Sequence, residues 1–251
     1  MSSFVNAVHF EISLFINMVQ CLFAGVFAPS GAGNLNVPSF YEEIWEVVLK
    51  GPVGVDHWDI SVRWTIGNET AMVTIPGGHI YFKVGDLGTF QNVDGSRLTT
   101  CGVLQAFINS LDRIYAFVDS DAWDNVSSIN VGAIRENASG TYVQSSGKLS
   151  LEPYFPSTNP ILTVSPTYQS LAYDVTLAHE LQHAADSNQG LTTNQMEQNA
   201  YQNASQYIKI AYLLDNDPYN KIIYRTAWEE NKLIFVENYG GDPADMIWPP
   251  D

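Results

Sequence analysis

Residues 165–190 read SPTYQSLAYDVTLAHELQHAADSNQG. Ser165 followed by Pro166 is a strong helix start. The hydroxyl can cap the first turn, and proline at the first helical position lacks an N–H that would have gone unpaired. No breaker follows until Gly190, which suits a C-terminal stop, so the stretch predicts one helix from Pro166 to about Gly190. Inside it lies His179-Glu180-Leu181-Gln182-His183. Four residues make a little over one helical turn, so both imidazoles leave the same face and can share one tetrahedral metal ion. Glu180 is turned by about 100° from His179, toward the open side of such an ion.

Two neutral imidazoles suit Zn²⁺, which acidifies water toward neutrality. A carboxylate at Glu180 can then take a proton from the attacking water and hand it to a leaving amine. Two unrelated histidines on an ordinary helix would carry the same letters. Here, however, the pentad sits well inside a capped helix, preceded by the apolar Val175, Leu177 and Ala178.

The pentad resembles that of the zincin superfamily of metallopeptidases, and its third ligand sorts the subgroups. The metzincin pattern wants Gly and then His or Asp where this chain has Asp186 and Gln189, and no downstream Gly-Thr-x-Asp of the deuterolysin type is found. The gluzincin pattern puts a Glu on the next helix. Thr192 with Gln195 reads as a capping box for such a helix, with Met196, Ala200, Ala204, Tyr207, Ile208 and Ala211 along one stripe. Glu197-Gln198-Asn199-Ala200 is similar to the Glu-x-x-Ala element of short gluzincin-like families. The resemblance thus implies His179, His183 and Glu197 as zinc ligands and Glu180 as the catalytic base. It also implies an endopeptidase acting on protein or peptide substrates.

Rival ligands are Asp186, which otherwise serves as a hydrogen-bond acceptor behind the site or as a solvated residue, and the pair Glu229 and Glu230. Tyr201, one turn past Glu197, is a candidate for stabilising an oxyanion, with core packing the commoner role for a tyrosine. His57 and His79 read as structural. Two functional alternatives remain, a catalytically silent zincin-like binding module and a zinc amidase or cell-wall hydrolase. The intact Glu180 speaks against the first.

Upstream, the pattern is mixed. Ser39 and Glu42 form a second capping-box pattern, and Tyr41, Ile44, Trp45 and Val48 recur at helical spacing, predicting a helix that ends near Gly51-Pro52. Alternation over 59–66 predicts a strand, and Ala71–Ile75 with His79–Val84 around Pro76-Gly77-Gly78 predicts a hairpin. A stripe of Val103, Leu104, Phe107, Ile108, Leu111, Ile114 and Tyr115 predicts a helix. Short strands are expected at 129–134, 141–145 and 148–152, then a proline-punctuated loop over 153–160. By the zincin analogy, the strands over 141–152 would lie along the substrate. The expected architecture is α+β and zincin-like. A mixed α/β lobe over 33–160 precedes a mainly helical, zinc-binding lobe over 161–251, in a single metallopeptidase domain over 33–251.

The 251 residues are 45% hydrophobic, 12% aromatic and 15% charged, enough apolar material for a core and too few charges for a disordered chain. With 27 acidic residues against 11 Lys and Arg, the net charge is −16, and no basic cluster exists for phosphate. Nucleic acid is therefore excluded as a partner. Two cysteines, Cys21 and Cys101, allow at most one bridge and no Cys-rich metal site. The run ISLFINMVQCLFAGVFA, from Ile12 to Ala28, has the length of a signal-peptide core, and Ser30-Gly31-Ala32 offers a cleavage site. Residues 1–32 are thus expected to direct secretion or export, or to serve as an anchor, with no other membrane partner. An apolar helix packed on the core is the alternative. Four glycosylation sequons, at Asn68, Asn125, Asn137 and Asn203, agree with secretion without requiring it.

Overall fold

The computed structural model describes four strands between residues 44 and 84 and, with short breaks, residues 85–248. The apolar segment at 12–28, the cleavage site, His57 and Asn137 lie outside the described residues, as do Ser39, Tyr41 and Glu42. The fold is α+β. One sheet contains β1 (Ile44–Leu49), β2 (Trp58–Thr65), β3 (Asn68–Ile75), β4 (Gly78–Val84), β5 (Ser128–Val131), β6 (Gly140–Val143) and β7 (Lys148–Leu151), in the order β1-β2-β3-β4-β5-β7-β6. The first four strands form an antiparallel meander. β5 and β7 then run parallel to β4, and β6 closes the order antiparallel to β7.

The predicted hairpin is present, with Ile75 opposite Gly78. His79 falls in β4. The predicted helix through residues 44–48 is not formed: Ile44–Leu49 is a strand paired over six residues with β2, from Ile44 opposite Arg63 to Leu49 opposite Trp58. IWEVVL is rich in β-branched and aromatic residues, and its ladder supplies partners for backbone groups that helical spacing alone cannot outweigh.

Helices cover the rest: α1 (Thr100–Tyr115), α2 (Ser120–Asp124), α3 (Pro160–Thr163), α4 (Pro166–Ala185), α5 (Thr193–Leu214) and α6 (Pro218–Tyr239). The core lies where α1 and α4 meet the β5–β7 end of the sheet. Val103, Phe107, Leu111 and Ile114 of α1 pack with Ile129, Val131, Leu149 and Leu151 and with Leu171, Leu177 and Leu181 of α4. Ser165 caps α4 as the sequence predicts, accepting from the Tyr168 N–H. The helix stops at Asp186, short of Gly190. Asn188, at φ 67°, already takes the left-handed conformation that ends the turn, a role asparagine fills second only to glycine.

α5 lies along α4. Its capping box is complete, with Thr192 and Gln195 each bonding the other's backbone. Ala178, Ala200 and Ala204 are fully buried, and small side chains let the two helices approach closely. The sequon residues Asn125 and Asn203 are used within the fold, their amides donating to the carbonyls of Ala184 and Ala178. Among the described residues no helix is long and apolar enough to cross a membrane.

A buried carboxylate ties three helices together. Asp174, 3% exposed, accepts two bonds from Arg113 of α1 at 2.7 and 2.8 Å and one from the Tyr207 hydroxyl of α5 at 2.6 Å. Removing one partner of a buried pair strands the other, although Arg113 keeps some solvent, which places the cost at the low end of the usual range. Asp174→Ala is expected to lower stability by about 3 kcal/mol, read from the urea midpoint. An unchanged midpoint would show that the network does not hold these helices.

Candidate metal centre

His179 and His183 leave one face of α4, half-buried, with their Nε2 atoms 3.1 Å apart. The cap at Thr192 starts α5 so that Glu197, in its second turn, faces them. Glu197 Oε2 is 3.5 Å from His179 Nε2 and Oε1 is 3.6 Å from His183 Nε2. Two ligands bound to one zinc at about 2.0–2.1 Å in a tetrahedron lie about 3.3 Å apart. The three observed edges match that figure closely. The donor set, two imidazoles and a carboxylate, fits a divalent transition metal, and among the described residues this is the one group of His, Cys, Asp or Glu side chains so arranged.

The sequence-level rivals lie elsewhere. Asp186 is buried at 3% exposure, so it is not the solvated residue that was one expectation. Its carboxylate accepts from Gln182 at 2.8 Å and from Asn199 at 2.9 Å, which ties α4 to α5 just beyond the histidines. Glu229 is exposed, and Glu230 accepts from the Ser157 hydroxyl. Tyr201 packs against the edge of the core, as one expectation had it. It is half-buried, packs edge-on against the His179 ring at 4.7 Å, and lines the same cleft.

Burial acts on each site group differently. It pushes the Glu180 carboxyl, 4% exposed, up to about 7; the His179 charge opposes that rise and Glu197 adds to it. Burial also lowers His183, to about 4, with the adjacent His179 reinforcing the shift against Glu197 and Asp186. His183 is therefore neutral around pH 7, the form that ligates metals. For Glu197 burial alone would raise the pKa. The hydrogen bond and charge of His179, the charge of His183 and a hydrogen bond with Tyr239 outweigh it and hold the carboxyl below its ordinary value. A bound dication would draw Glu180 back down as well.

Two site residues were not anticipated. Tyr239, the last residue of α6, bonds Glu197 and Tyr201 and packs on the Tyr201 ring at 5.2 Å. Nothing local marks it, since it arrives at the site only through the return of α6. Gly140 opens β6 against α4. A Cβ there would lie 2.6 Å from Thr176 Cγ2 and 2.7 Å from Glu180 Oε1. A glycine at a strand start can signal such a close approach, and that signal was available in the sequence. β6 therefore runs directly beside Glu180, and both line one cleft of about 880 Å³ together with His179, His183, Glu197 and Tyr239.

No family model, no curated protein and no solved structure matches the chain.

Gly140→Ala must move Glu180 or part β6 from α4. The expected loss is about 1–3 kcal/mol in chemical denaturation, the usual range for overpacking. A variant as stable as the parent, with unchanged metal binding, would show that the contact is slack.

Proposed function

We propose that the chain is a zinc-dependent metallopeptidase of gluzincin type, in which His179, His183 and Glu197 hold the metal and Glu180 is the catalytic base. The observation that carries the reading is the convergence of three donor side chains from two helices beside a buried carboxylate in an open cleft. The zincin-like plan is supported by the same elements: a pentad-bearing helix, a following helix with its glutamate, and a strand alongside. Zinc held by these residues would polarise a substrate carbonyl and acidify a water molecule. Glu180 takes the proton from the attacking water on a carboxylate oxygen and delivers it to the leaving nitrogen. Its burial keeps bulk water from competing for that proton.

The strand supports a peptide rather than a small amide as substrate. β6 ends the strand order, and its outer edge has no strand partner among the described residues. An extended peptide can add along such an edge and bring one of its carbonyls beside Glu180. Tyr201 packs against His179 and Tyr239 bonds Glu197, so both stand beside the ligands, where a hydroxyl could steady a developing oxyanion.

Purified protein is expected to carry about one zinc per chain, as is Glu180→Gln, while casein or peptide-library cleavage is lost only in the variant. Retained cleavage in Glu180→Gln would sink the mechanism, and metal-free protein from chelator-free preparation would sink the site. Metal titration separates the ligands: Glu197→Ala should lose far more zinc affinity than Asp186→Ala, since residues behind the ligands usually cost about 10–100-fold. Equal losses would make Glu197 no ligand.

A further inference from the structure

The cleft does not stop at the metal cluster. It continues between α4 and α6 to Glu230, an acidic side chain that neither holds metal nor moves a proton in the proposed reaction. Nine residues of α6, about 13 Å, separate Glu230 from Tyr239, which bonds Glu197. An apolar stretch lines the Glu230 end, with Phe155, Leu171, Ala172 and Ala227 buried there; along α6 toward Tyr239 the lining is mixed, Ile234 beside Asn238 and Asn231, whose amide is already bonded to Tyr201 and Ser205. Glu230 is half-buried and accepts from the Ser157 hydroxyl, at 3.1 Å to Oε1 and 3.3 Å to Oε2, with the Tyr168 phenol, which also bonds Ser157, close by. A carboxylate has about four acceptor sites, so most of its capacity is left over. No Lys or Arg lines the cleft among the described residues, while Glu180 and Glu197 add to its negative field.

From this geometry, and resting on the peptidase reading above, we infer that Glu230 selects substrates with a lysine or arginine close to the scissile bond. A long aliphatic stem would lie along the apolar stretch and present its cationic head to the carboxylate. A norleucine of similar length would fill the same stretch but leave Glu230 dehydrated and unpaired, and that cost creates the discrimination. Ser157 holds the carboxylate at the end of the channel and is anchored in turn, since its hydroxyl accepts from the Asn159 N–H.

The test separates recognition from turnover. Zinc-loaded Glu180→Gln protein is titrated with short neutral peptides carrying one Lys, or norleucine at the same place, scanned along the peptide and read by fluorescence anisotropy. At one or two positions Lys should bind about tenfold tighter or more, the effect of one charge-assisted bond. Adding Glu230→Gln, whose amide carbonyl can still accept from Ser157, should bring the two peptides within about twofold, less than one such bond supplies. Glu230→Asp, which withdraws the charge by one methylene, should shift preference from Lys toward the longer Arg. A parallel library digest by the parent protein should show the same residue enriched beside the cut. No Lys preference at any position, or a preference that survives Glu230→Gln, overturns the inference. Charge-selective binding by a protein that cleaves no peptide would instead retain Glu230 as a recognition residue and defeat the peptidase reading alone.

Discussion

The site depends on the close antiparallel contact of α4 with α5. Ala178, the residue before His179, meets a face on which Ala200 and Ala204 leave room for it, and Asn203 reaches across to the Ala178 carbonyl. A larger side chain at any of these alanines would push Glu197 away from the imidazoles. Two buried aspartates set the sliding register. Asp174 bonds Tyr207 toward one end of the contact, and Asp186 bonds Asn199 at the other. They stand about 18 Å apart along α4, and the histidines lie between them. Neither aspartate needs to touch a metal for the site to require it. Together they turn a non-directional apolar contact into one that fixes where a carboxylate meets two imidazoles.

Local chemistry made much of this legible. Ser165-Pro166 and Thr192 with Gln195 announce two helix starts, because a capping side chain satisfies orphan N–H groups within three residues of itself. The pentad's spacing then places two imidazoles on one face without knowledge of the rest. Given both starts, Glu197 in the second turn of the following helix is within reach. The stripes of α1 and α5 recur in the core at Val103, Phe107, Leu111 and Ile114 and at Ala200, Ala204, Tyr207 and Ile208.

What was misread or missed depended on residues far apart in sequence. Ile44–Leu49 satisfies a helical spacing and a strand composition together, and only the ladder with β2 decides between them. The short helices α2 and α3 carry too few residues for a periodicity to show. Gly190 is the obvious stop for α4 in the sequence, whereas Asn188 makes the turn first. Tyr239 and Glu230 ride on α6, whose approach to the cleft is a matter of packing. For Asp186 the sequence leaves an acceptor and a solvated residue equally open, and its partner Asn199 can be found only once α5 is in place.

The two sequon asparagines bear on how the chain can be made. In Asn125 and Asn203 the nitrogen that an oligosaccharide would occupy is the one donating to an α4 carbonyl. At Asn203 the third sequon residue, Ser205, is itself buried, 2% exposed. A bulky hydrophilic sugar at that position would have to be wedged between two helices that approach on alanine. Transfer to the nascent polypeptide in a eukaryotic secretory compartment would thus act before α4 and α5 close and would oppose their closure. Production in a host without that modification leaves both amides free to make the bonds that the folded state uses.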